Sequence, residues 1–157
     1  MIRAAGGARR PLGAADLGIR LRAGDERALF KWFVASFLFG KRVQQTVALR
    51  AYRVLVEAHG LDSPRKIGRR SWQELVDLLD EGHYVRYDES TARRLLALAH
   101  KLVAEYDGRL GRLRELCADA AELKSRLLEF EGVGPKTLEI FLREAGPVWG
   151  IDDRGRD

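Results

Sequence analysis

Between two segments of helical apolar spacing the chain reads Gly132-Val133-Gly134-Pro135. This short run constrains the fold more than any other. Two glycines around one apolar residue give a tight turn, because glycine tolerates positive φ and a close approach of backbone. Val133 can tuck between the flanking helices. Pro135 suits the first turn of a second helix, where its missing N–H is not needed. The N–H groups around Gly132, Gly134 and Lys136 are then left facing outward, and such a helix start favours a phosphate through free donors and the helix dipole. Gly-x-Gly alone also fits an ordinary pair of packed helices. The wider pattern is more specific: Leu127, Leu128 and Phe130 before the turn, then Lys136-Thr137, then an apolar face of Leu138, Phe141 and Leu142.

The remainder also reads as helix. Asp25-Glu26 opens a segment whose apolar side is Leu29, Phe30, Phe33, Phe37 and Leu38, ended by Gly40. A second helix is predicted over about 42–59, with Val43, Val47, Tyr52, Leu55 and Val56 inward, and Ser63-Pro64 opens a short turn of helix. Ser71-Trp72-Gln73-Glu74 matches a capping box. After a loop at 83–88, a helix over about 90–106 carries Leu95, Leu98, Ala99 and Leu102. A short helix follows around 113–117, and Asp119 caps the one that ends at Phe130. No period-two alternation stands out. The expectation is an all-α chain of seven or eight short helices. Residues 1–24 form a basic, flexible arm, 25–150 the helical domain and 151–157 a polar tail.

Charge and cysteine usage narrow the partners. The net charge of +5 and pI near 9.7 suit an anionic partner. Residues 1–24 contribute strongly, with five arginines against Asp16. A solvated tail explains that as well as a DNA-binding arm does. The single Cys117 excludes an internal disulfide and a four-cysteine iron–sulfur cluster within the chain. His59 and His100 have no partners at metal-ligand spacing, so no metal site is expected. No apolar run nears the roughly 20 residues of a membrane span, and residues 1–24 lack a secretory h-region. The expectation is a monomer in the cytoplasm, associated with the nucleoid.

Taken together, these features resemble the endonuclease III superfamily of helix-hairpin-helix DNA glycosylases. Phe130-Glu131-Gly132-Val133-Gly134-Pro135-Lys136-Thr137 is similar to its Leu-Pro-Gly-Val-Gly-Arg-Lys-Thr hairpin. The likeness extends over about residues 25–153 in helix order and is specific mainly in the last 35. It implies a six-helix barrel that grips double-stranded DNA, damaged or abasic, in base excision repair. It implies backbone contacts at Gly132, Val133, Gly134, Lys136 and Thr137, and a monovalent cation at the hairpin is compatible with it.

The resemblance also implies chemistry. Bifunctional members carry a lysine at the position of Lys136. It attacks C1′ and forms a Schiff base that permits strand cleavage, which makes the chain a glycosylase with abasic-site lyase activity. Asp152, or its neighbour Asp153, falls where the family has its assisting aspartate. A lysine nucleophile must be neutral when it attacks, so burial or a nearby cation must lower its pKa. The target base must also leave the stack. The loop of His83, Tyr84, Arg86 and Tyr87 lies where the family places a wedge: Tyr84, Tyr87 or His83 could stack there, and Arg86 could touch phosphate. Lys41, Arg42 and Gln44 lie near its strand-opposing glutamine. The family's cysteine-bearing wall of the DNA cleft has no counterpart here. A non-catalytic DNA-binding barrel and a truncated glycosylase therefore stay open. A helical protein-interaction module is the alternative from a different class.

Overall fold

The computed structural model describes residues 11–152. Among them the chain is all-helical, with no strand. Eight α-helices follow one another: α1 (Glu26–Phe39), α2 (Gln45–Tyr52), α3 (Pro64–Gly68), α4 (Trp72–Glu81), α5 (Asp88–Tyr106), α6 (Leu110–Glu115), α7 (Ala120–Leu128) and α8 (Pro135–Val148). The starts follow the side chains that cap them. Asp25 accepts from Ala28 N–H, Ser63 from Lys66 N–H and Asp119 from Glu122 N–H. At α4 the capping box closes in both directions, with Glu74 N–H on Ser71 Oγ and Ser71 N–H on Glu74 Oε1. Each such cap satisfies a donor that the helix itself leaves open.

α1 is the axis of the molecule. Its residues from Ala28 to Leu38 are buried apart from Lys31, so the helix has almost no solvent face. A helix covered on all sides needs no amphipathic stripe, and the five-residue apolar side read from sequence understates its burial. α2 and α8 both pack against it. Trp32 Nε1 donates to Phe141 O at 3.2 Å, and Phe33 meets the Phe130 and Phe141 rings edge-on. Each ring pair adds on the order of 0.5–1.5 kcal/mol beyond area burial. α5 packs against both α3 and α4.

Two boundaries differ from the expectation. Within the segment read as a flexible arm, residues 14–17 form a 3-10 turn, and Ala14, Leu17 and Ile19 are buried. Ala14 N–H donates to Glu144 on α8 at 3.0 Å, so this stretch is a strap on the domain. Ile151, assigned to the polar tail, is buried, and its N–H donates to Gly146 O at 2.9 Å. Arm residues 1–10 and tail residues 153–157, including Asp153, lie outside the described residues.

Candidate functional site

The turn between α7 and α8 is built as its sequence requires. Phe130 is buried, and Val133 N–H donates to Phe130 O at 3.0 Å. Gly132 has φ +88°, and a Cβ there would stand 2.8 Å from the Phe37 ring and 3.1 Å from Arg94 Cδ. Positive φ and close approach thus both demand glycine at this position. Gly134 differs. It caps α8 in extended geometry, and a Cβ there would meet nothing within 4 Å. The space in front of the helix is open. No side chain caps α8, so its first turn keeps donors for a ligand.

Around this helix start lies an open depression of about 420 Å³, lined by Lys41, Arg94, Glu131, Gly132, Gly134, Lys136 and others. Lys41 follows the end of α1, reaches across and donates from Nζ to Gly132 O. Its Nζ sits 4.1 Å from the centre of the Phe37 ring. Burial first, and then the neighbouring Arg94 charge, bring its pKa down to about 8. Glu131 is bound by Arg93 and lies 3.8 Å from Arg94 Nε.

A second cleft, of about 260 Å³, adjoins the first through the Lys41–Arg42 peptide. It gathers Arg42, Gln44, His83, Tyr84, Val85 and Arg86, so five of the residues singled out from sequence come together. Arg42, Gln44, His83 and Arg86 are exposed. The 83–87 loop holds two non-glycine residues at positive φ, His83 (62°) and Tyr87 (67°), an uncommon and strained geometry. It presents Val85 outward with 62% of its surface exposed.

Several expected contacts are placed differently. Tyr84 is 0% exposed, and its hydroxyl lies 3.3 Å from Thr91 Oγ1. It anchors the loop and cannot act as a wedge; Val85 and Tyr87 hold the outward positions. Thr137 is 1% exposed, wedged against Gly40, whose added Cβ would stand 2.1 Å from Thr137 Oγ1. It fixes the end of α1 to the start of α8 and offers no side-chain contact. Val133 is buried too, leaving its backbone for the turn.

Lys136 and Asp152 do not share a cavity. The Lys136 side chain is 67% exposed, and its Nζ pairs with Glu139 Oε1 at 3.1 Å. Asp152 lines a separate groove of about 650 Å³ on the outer side of α7 and α8, with Leu128, Leu138, Leu142 and Pro147. Among the described residues, no group of three or more His, Cys, Asp or Glu side chains could hold a metal ion, and no helix is long and apolar enough to cross a membrane. No known family profile matches the chain, and neither does any curated protein.

Proposed function

We propose that this chain is a helix-hairpin-helix DNA-binding protein of base excision repair, with a barrel of the DNA glycosylase type. The observation that carries the reading is the depression at the start of α8. It offers uncapped backbone N–H groups, an open approach at Gly134, and Lys41, Arg94 and Lys136 around them, with Arg93 paired to Glu131 at the edge. A phosphodiester needs that combination of donors and positive charge, and needs no base to be read. The adjoining cleft, with Arg42, Gln44, His83 and Arg86, extends the surface to one a duplex can cover.

Salt titration with duplex DNA tests it. Affinity should fall steeply and linearly on a log–log plot. Gly134→Glu should weaken binding at least tenfold while leaving the fold intact, since the new carboxylate stands where the phosphate sits and its Cβ meets nothing. Affinity insensitive to both would make the turn purely structural and favour the protein-interaction reading.

A second reading, glycosylase with lyase chemistry, draws on Lys136, which lines the same depression as the hairpin glycines. Its ion pair with Glu139 and its separation from the groove of Asp152 favour binding without catalysis. Borohydride trapping on abasic-site duplex decides between them. A covalent adduct lost in Lys136→Ala establishes the enzyme, and no adduct under binding conditions establishes the non-catalytic barrel.

A further inference from the structure

The Lys41 ammonium is held by its fold in a partly buried place beside the Arg94 charge, with no carboxylate of its own among the described residues to balance it. It gives one hydrogen bond to Gly132 O and lies over the Phe37 ring. An ammonium has three N–H donors. Among the described residues Lys41 forms no ion pair, and the carboxylate beside it, Glu131, is already held by Arg93 with Arg94 close by. The charged groups around the depression are Arg93 and Arg94 from α5, Glu131 from the turn, and Lys136 and Glu139 from the first turns of α8. Three cations face two carboxylates around the neutral Lys41 amine, and protonating it adds a fourth cation that has no carboxylate to balance it.

We propose that Lys41 is a phosphate ligand of the hairpin and that its protonation switches the site, so that binding a phosphodiester and taking up a proton from solvent are one event. This rests on the DNA-backbone reading above and adds to it a titrating group. The geometry supports the coupling directly. Lys41 bonds the carbonyl of the same glycine whose turn presents α8, and its side chain lines the depression that Gly134 leaves open. A phosphate entering there supplies the missing counter-charge, which favours the ammonium and raises its pKa. With the free amine half-titrated near pH 8, a fall in affinity follows as pH rises through that value. Arginine keeps its charge to beyond pH 12 and carboxylates as a class ionise well below neutrality, so neither produces a step in this range.

The test is fluorescence anisotropy with a short labelled duplex at constant ionic strength from pH 7 to pH 9. Wild-type affinity should fall about tenfold, the loss expected when one required proton leaves a group of pKa near 8. Lys41→Arg, permanently charged, should bind at both pH values with no step. Lys41→Met should bind weakly and also without a step. The terminal amine titrates in the same range but is present in all three proteins. A step that survives in Lys41→Arg therefore overturns the proposal while leaving DNA binding in place. Absence of DNA binding at any pH overturns the DNA reading instead. Reductive ¹³C-methylation of the intact wild-type chain, read by NMR, then decides the ligand question without any variant having to fold. The Lys41 midpoint should rise on adding inorganic phosphate against chloride of equal ionic strength, and an unmoved midpoint with both phosphate and DNA contradicts the proposal.

Discussion

Alanine at Gly132 and alanine at Gly134 should have opposite effects on stability, although the two positions are separated by one residue. At Gly132 the backbone has φ +88°, which costs an L-residue roughly 1–2 kcal/mol. The added Cβ would also press to 2.8 Å on the Phe37 ring, which is fully buried in the core. Relieving such overpacking costs about 1–3 kcal/mol. Together, Gly132→Ala should lose about 2–5 kcal/mol. At Gly134 φ is −105° and the Cβ meets nothing, so alanine should be neutral or add up to about 1 kcal/mol by restricting the unfolded chain. Urea unfolding followed by tryptophan fluorescence measures both, since Trp32 is fully buried beside α8. A Gly132→Ala loss below about 0.5 kcal/mol, or a Gly134→Ala loss above about 1 kcal/mol, would refute the assignment of Gly132 to the fold and Gly134 to the ligand.

Other consequences follow from single contacts. Gly40→Ala should destabilise by more than about 2 kcal/mol through its clash with Thr137, and Thr137→Ala should be non-additive with it in a double-mutant cycle. Because burial lowers the folded-state pKa of Lys41 from 10.5 to about 8, the unfolded chain binds more protons between those values. Stability of the free protein should therefore rise across that window, and Lys41→Met should remove the rise in pH-dependent urea unfolding. Burial raises the Tyr52 and Tyr84 phenols, which reverses the trend above about pH 10. Lys136→Gln should weaken duplex binding modestly and reduce the log–log salt slope by about one, if its ammonium meets a single phosphate.

Local chemistry was readable from the sequence where it is written within a few residues. The Ser71–Glu74 capping box, the caps at Asp25 and Asp119 and the glycine turn at 132 all follow from side chains close to the groups they serve. The strap at 14–19 has no such local signature, because Ala14, Leu17 and Ile19 are too few to establish a period. Tyr84 and Tyr87 sit in one loop with similar neighbours. Which of them faces inward depends on the positive φ angles at His83 and Tyr87, and no spacing rule encodes those. The central difference concerns the lysines. The sequence puts Lys136 beside the glycines and implies that a reactive amine there would need a desolvated setting. The structure gives that setting to Lys41, which is 91 residues from the Gly132 carbonyl it bonds. Arg93 likewise reaches Glu131 across 38 residues. Contacts of that range carry no local signature, so the site's cations could be counted from the sequence but not assembled.

The most direct test of the proposed surface is an amide NMR titration of the intact chain with a short duplex. Signals of residues 132–134, 136–137, 41–44 and 85–86 should move together and return as salt is raised. Shifts confined to the groove of Leu128, Leu138 and Leu142 on the outer side of α7 and α8, or no shifts at concentrations well above a micromolar affinity, would contradict the account.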